Sequence, residues 1–390
     1  MSQPAPSSAN IKAILADLIA FDTTSHRSNL ELIDYIVAYL ADFNIQAKVL
    51  AADGQAKANL VATIGPNVPG GVVLSGHTDV VPVAGQAWTK PAFQLTEEGG
   101  YYFGRGVADM KGFIAVALAA VPLFVAAKLK APIHLAFSFD EEVGCKGVQE
   151  MLPFLSQHVA LPRLVVIGEP TSMQVATAHK GQYVAKTRIV GQEAHSSRPD
   201  DGVNAVVVAA ELIGFIDAMA TSVRENGPFD DDFSPPYTTF NIGPISGGSA
   251  FNIISNNCEF DWEFRFLPGE DGPAITEQYR QHFEGVVLPA MRAKFPNCDI
   301  TNEVWAYLPP LKAEPGSDGE SFAMALAQRN ASTVVAFGTE AGYFQGLDFP
   351  TVVCGPGDIA QAHKPNEYIE IKQLEACARF MQRVAEAMVA

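Results

Sequence analysis

The sequence predicts an α/β fold interrupted by a smaller inserted α+β layer. Short β-branched runs at 59–64, 72–75, 133–139 and 164–167 are apolar on both faces, as strands covered on both sides of a sheet are. Near residue 175 the pattern changes to alternating strands. It returns to the first style at 334–337 and 351–354, with a final helix at 371–390. At the usual ~150 residues per domain, 390 residues make two or three domains. The expected boundaries are 1–181 and 294–390 for the two parts of the larger domain and 182–293 for the insertion.

Each element has a local reason. Ile11, Ile14, Leu15, Leu18 and Ile19 recur at helical spacing. Ser28 and Glu31 have the S-x-x-E form of a capping box ahead of Leu32, Ile33, Ile36, Val37 and Leu40. Residues 111–128 read as the crossover helix between the second and third strands. Residues 175–190 read as one long strand or a hairpin, 205–219 as a helix, and 237–245 and 253–266 as strands. In the last of these Phe260, Trp262, Phe264 and Phe266 alternate with Glu259, Asp261, Glu263 and Arg265, the period of a sheet with one packed face. A helix over 274–292 completes a β-α-β-β-α order, that of a ferredoxin-like layer.

Composition narrows the function. Hydrophobic residues make up 48% of the chain, enough for a large core. With 26 basic and 43 acidic residues the net charge is −17, which repels phosphate backbones and anionic membranes, so neither nucleic acid nor a membrane is an expected partner. Five scattered cysteines form no CxxC pair and fit a reducing compartment. The N-terminal MSQPAPSSAN reads as a polar tail without the basic start and apolar stretch of a signal peptide. The longest apolar run, 112–127, is too short for a membrane span and contains Pro122. A cytoplasmic protein is the expectation.

The chemistry gathers where strands end. His77 and Asp79 stand in SGHTDVVP, Asp109 in GRGVADMKG, Asp140, Glu141 and Glu142 in DEEVG, Glu169 in GEPT and His363 in AHKP. Ligands of open α/β sheets bind beyond the carboxyl ends of strands, so these groups should share one edge. Two imidazoles with several carboxylates and no thiolate suit zinc, cobalt or manganese. Such a crowd of like charges is unfavourable without cations, and two cations need a shared ligand, which a lone Asp held by glycines provides. GRG lacks the GxGxxG spacing of a phosphate loop and reads as a tight turn presenting Asp109. His26, His134, His158, His179 and His282 read as structural or exposed.

These strings, with AHSSRP at 194–199, resemble the metal-dependent amidohydrolases that include acetylornithine deacetylase, succinyl-diaminopimelate desuccinylase, aminoacylase and carboxypeptidase G. The likeness runs from about residue 14 to the C-terminus. LIAFDTTS, GTEA and CGPGDIAQAHKP resemble the N-acetyl-amino-acid deacetylase branch. The resemblance implies a mixed-sheet α/β catalytic domain of zinc-peptidase type, two divalent ions, and an inserted lid that often forms a homodimer. Carried over, His77, Asp109 and Glu169 hold one ion, and His363, Asp109 and Glu142 the other. Glu141 is the general base in hydrolysis of an N-acyl amide, Asp79 orients His77, and His195 of the lid assists the oxyanion. Arg265 and Asn252 resemble lid positions that contact substrate, and Glu340 is a candidate for a substrate ammonium. A noncatalytic scaffold on the same fold would have lost Glu141 or a ligand; all are retained.

Overall fold

The computed structural model describes residues 4–389. Met1–Ala178, Leu311–Val334 and Thr339–Ala390 form one compact unit, and His179–Pro310 with Val335–Gly338 the other. The first contains an eight-stranded mixed sheet. From one edge its strands are Ala47–Ala51, Ala58–Ile64, Ile133–Ser138, Val72–His77, Leu164–Pro170, Thr351–Gly355, Ala176–His179 and Thr333–Val335. The four central strands from Ile133–Ser138 to Thr351–Gly355 run parallel, so their carboxyl ends lie side by side. Ala58–Ile64 pairs antiparallel with Ile133–Ser138. This is the geometry that gathers residues from four distant stretches at one edge.

The helix Lys111–Ala119 is buried along its entire length. It packs against the helices Ser8–Ala20 and Ile371–Val389 and the strand Val72–His77. Lys111 is tolerated there because its Nζ donates to Leu18 O at 3.0 Å and Phe21 O at 2.8 Å. Gly168 meets this helix at close range: a Cβ there would fall 2.1 Å from the Phe113 ring, so a side chain would force helix and sheet apart. The helix read over 111–128 is two, Lys111–Ala119 and Val121–Ala126, with Pro122 in the first turn of the second. The 28–31 capping box does not form. Ser28 Oγ accepts from Leu30 N at 3.2 Å, and Asn29 turns its amide to the backbone of Ala58 instead. Ser8–Asn10 belong to the first helix rather than a tail. Met1–Gln3 of that expected tail, and the expected helix end at Ala390, lie outside the described residues.

His134 is fully buried in the sheet. Its Nδ1 meets Thr63 Oγ1 at 2.9 Å, and its Nε2 finds no hydrogen-bond partner among the described residues. Burial pushes the imidazole down to about 4. The unfolded chain, with an ordinary value of about 6.5, therefore takes up this proton first. The stability that His134 contributes is complete above about pH 6.5 and drains as the pH falls towards 4, with a ceiling of about 3 kcal/mol. His134→Gln should flatten the loss of unfolding free energy between these pH values, measured by urea titration at several pH values. An unchanged slope would assign the acid sensitivity to other groups.

The second unit carries a four-stranded antiparallel sheet in the order Thr239–Gly247, Asn257–Phe266, Gly181–Val190, Asp299–Leu308. In chain order this is β-α-β-β-α-β, the split arrangement of a ferredoxin-like layer. Phe260, Trp262, Phe264 and Phe266 are buried, and the alternate residues Glu259, Asp261, Glu263 and Arg265 are half-exposed. The helix Ala205–Asn226 packs Val208, Ala209, Leu212 and Ile216 inward. By length and composition alone it is apolar enough to cross a membrane. The unit is larger than 182–293. Asp299–Leu308 pairs along Gly181–Val190, and 175–190 divides at Lys180 into Ala176–His179 and Gly181–Val190, which lie in different sheets.

Candidate metal centre

Each parallel strand delivers its acidic or imidazole group at its carboxyl end. His77 is the last residue of its strand and Glu169 the penultimate of its own; Asp140, Glu141 and Glu142 follow Ile133–Ser138 in the turn that leads to the helix Lys146–His158. Asp109 ends the Gly-rich turn before the buried helix. His363 sits on the loop after Thr351–Gly355 with φ +62°.

The two oxygens of Asp109 face different imidazoles. Oδ1 lies 3.0 Å from His77 Nε2, and Oδ2 lies 3.2 Å from His363 Nε2. Glu169 Oε1 lies 3.5 Å from His77 Nε2, and Glu142 Oε2 lies 3.0 Å from His363 Nε2. The structure thus gathers two donor sets that share one carboxylate. Donor atoms of His77, Glu141 and Glu169 lie within 4.8 Å of one another, as do those of His77, Asp109 and Glu142. The ion pairs of Asp109, Glu142 and Glu169 among the described residues are with these imidazoles. Imidazole nitrogen and carboxylate oxygen converging from two sides on a bridging Asp are a donor set that fits a pair of divalent cations.

Electrostatics agree. Burial raises Glu141; the His77 charge opposes it, but Glu142, Glu340 and Asp109 raise it further, leaving the carboxyl well above its ordinary range. Glu169 is raised in the same way by burial and Asp109, and Glu142 to about 7. Burial would raise Asp109 too, but the imidazoles on its two oxygens hold it low. Hydrogen bonds from His363 to Asp109 and Glu142 push His363 up to about 10. Excess negative charge held this way is what cations neutralise.

Asp79 faces His77 with its backbone as well as its carboxylate. Its backbone carbonyl, not its carboxylate, takes the shorter contact to His77 Nδ1, 2.9 Å against 3.6 Å. That carbonyl fixes the tautomer and leaves Nε2 as the donor atom. The Asp79 carboxylate accepts from Glu141 N at 3.0 Å, Glu142 N at 3.3 Å and Ser25 Oγ at 2.7 Å, and so holds the turn of the acidic pair. Sequence reading missed two supports of this turn. Lys57 Nζ clamps Asp140 at 2.5 Å, and Cys145 Sγ donates to Glu141 Oε1 at 3.4 Å. It also missed Glu367, whose buried carboxylate accepts from the backbone N of Asp109. Nothing local marks Lys57 or Glu367, whose partners lie far away in sequence.

Glu340 is buried, with Ser138 Oγ donating to one oxygen and Ser75 Oγ to the other at 3.4 Å. This placement does not fit a direct contact with a substrate ammonium, because both oxygens are committed beneath the surface. Burial raises this carboxyl to about 7. Glu340→Gln should therefore leave the preference between cationic and neutral N-acetyl amino acids within about twofold, read as a ratio of kcat/KM values. A collapse of that preference would restore the ammonium contact.

In the second unit His195 and Asn252 come together. His195 pairs with Ile253, and Ser196 N donates to Asn252 O at 3.0 Å. His195 Nδ1 accepts from Ser197 N at 3.1 Å, so the neutral ring carries its proton on Nε2 and offers a donor to solvent. Arg265 is on a different element, the penultimate residue of Asn257–Phe266, and pairs with Glu263 at 3.5 Å.

Residues 73–387 match the model of peptidase family M20/M25/M40, and the chain belongs to this family of metal-dependent peptidases and amidohydrolases. It is an enzyme of that family. It is similar to the acetylornithine deacetylase of Myxococcus xanthus, with 35% identity over 384 residues covering 96% of each chain. An M20 family metallo-carboxypeptidase from Sulfolobus solfataricus has the same fold, with a TM-score of 0.76 at 16% identity over 97% of this chain and 99% of that one. So does the Bacillus subtilis YxeP protein, a dinuclear metal binding peptidase of the M20 family, with a TM-score of 0.67 at 15% identity over 98% of each.

Proposed function

We propose that the protein hydrolyses the amide of N2-acetyl-L-ornithine to L-ornithine and acetate, a step of arginine biosynthesis, using two divalent ions, zinc in the first instance, with cobalt or manganese fitting the same donors. The observation that carries the chemistry is Asp109 presenting one oxygen to His77 and the other to His363. The 35% identical deacetylase supports the substrate. His77, Asp109 and Glu169 would hold one ion, and Asp109, Glu142 and His363 the other. Bound there, the ions supply Lewis acidity and lower the pKa of a water from about 15.7 towards about 7.

The chain's own part is proton handling and alignment. The Glu141 carboxylate, raised by burial and by its acidic neighbours, takes a proton from the attacking water and returns it to the nitrogen of the leaving amine. The Lys57–Asp140 pair and the Asp79 carboxylate keep its backbone in place. His195 Nε2–H is free to donate to an oxyanion.

His195 pairs with Ile253, next to Asn252, whereas Arg265 is on the separate strand Asn257–Phe266, which supports giving them different substrate contacts. We assign Arg265 as a clamp for the substrate α-carboxylate and give His195 and Asn252 to the second subunit of a homodimer. Val206, Val207 and Ile245, exposed on the lid helix and its edge strand, support a lid-to-lid contact. Five unpaired cysteines favour a cytoplasmic setting.

The test is a panel of acetylornithine, succinyl-diaminopimelate, an acetylated neutral amino acid and a dipeptide on zinc- or cobalt-reconstituted protein, with Glu141→Ala as control. Acetylornithine should have the highest kcat/KM. Preference for the succinyl substrate would make the protein a desuccinylase; preference for one of the last two, a broader amidohydrolase or dipeptidase.

A further inference from the structure

His77 and Glu169 lie on strands, and the sheet fixes them. His363 does not: it sits on a loop, its side chain is 54% exposed, and its backbone is left-handed. Something else must set its distance from Asp109. The structure contains a continuous chain of contacts that does so. Glu367 is buried, and its Oε1 accepts from Ala108 N at 2.9 Å and Asp109 N at 3.1 Å. Its Oε2 accepts from Gly106 N at 2.9 Å and Arg105 Nη1 at 2.8 Å. Arg105, fully buried and stacked over Trp88, passes its Nη2 to Gln86 Oε1 at 2.6 Å. Gln86 Nε2 then donates to the His363 carbonyl at 2.8 Å. Trp88 Nε1 steadies the same Gln86 oxygen at 2.9 Å.

We propose that Glu367, Arg105 and Gln86 are positioning residues that tie the His363 backbone to the Asp109 turn and thereby determine occupancy of the second cation position without touching either ion. The inference rests on the two-ion reading above. It separates the two positions in part: the sheet sets His77 and Glu169 of the first, the relay through Gln86 sets His363 of the second, and the Asp109 turn held by Glu367 serves both. A buried carboxylate with three backbone N–H donors and a guanidinium is a built anion cradle filled by the chain's own side chain. Residues behind metal ligands usually change metal affinity by 10–100-fold.

Gln86→Glu isolates the last link. It keeps an acceptor for Arg105 and Trp88, removes the donor to the His363 carbonyl and adds one negative charge, for which the uncharged Gln86→Ala is the control. Metal-depleted wild type and variant are titrated with Zn²⁺ and with Co²⁺ by calorimetry and cobalt absorption, with the thermal transition of the metal-free forms as a check on folding. Wild type should take two ions. Gln86→Glu and Gln86→Ala should keep the first at wild-type affinity and bind the second 10–100-fold more weakly, and Glu367→Gln should weaken both, since Asp109 serves both positions. Gln86 variants that bind two ions as wild type does, or that lose both equally, overturn the relay. A wild type that takes fewer than two ions overturns the two-ion reading itself.

Discussion

Glu141→Ala is expected to bind two divalent ions per chain and to hydrolyse the best substrate of the panel about 10²–10⁴-fold more slowly than wild type, the range for loss of a general acid–base group. The separation follows from the site. Asp109, Glu142, Glu169, His77 and His363 make the close contacts around the bridge, whereas the Glu141 carboxylate, within 4.8 Å of donor atoms of His77 and Glu169, accepts a hydrogen bond from the Cys145 thiol, and its backbone is held by Asp79. Removing its carboxylate takes away the proton acceptor and one of the crowded negative charges. Metal content is read by elemental analysis and rate by kcat/KM. Loss of an ion together with activity would move Glu141 among the ligands, and activity within tenfold of wild type would remove it from the proton step.

Asp109→Asn should be at least as damaging, through a different route. The amide has the shape of the carboxylate but only one oxygen, so it can serve one side of the bridge and not the other. Metal stoichiometry should fall from two to at most one per chain, and activity to the background of Glu141→Ala or below. The carboxylates also lose the anion that now raises Glu142 and Glu169, so their proton affinities should drop. Retention of two ions at wild-type affinity would show that Asp109 is not the shared ligand.

Much of the site was legible because the strand and the acidic or imidazole residue that ends it are adjacent in sequence. His77 closes Val72–His77 and Glu169 lies within Leu164–Pro170, so pattern and chemistry arrive together. The packed face of Phe260, Trp262, Phe264 and Phe266 was equally plain, since period two is a local property. What escaped depends on distance or on broken periodicity. Lys57 finds Asp140 and Arg105 finds Glu367 only after folding. Asp299–Leu308 is an edge strand whose side chains are exposed over much of its length, which leaves no clear alternation to read. The helix Lys146–His158 carries Pro153 inside it, a residue that argues against a helix. Tertiary commitment also buries Glu340 between two serines and gives the Asp79 carboxylate backbone partners beyond His77, which no motif can specify.

The first unit is discontinuous in sequence, and this orders events during synthesis. The ribosome delivers His77, Asp109, Glu142 and Glu169 early, but the strand Thr351–Gly355, His363 and Glu367 emerge only near the end. A nascent chain therefore holds all three ligands of one cation while the other's stay incomplete until the inserted unit has been made and the central sheet has received its late strand.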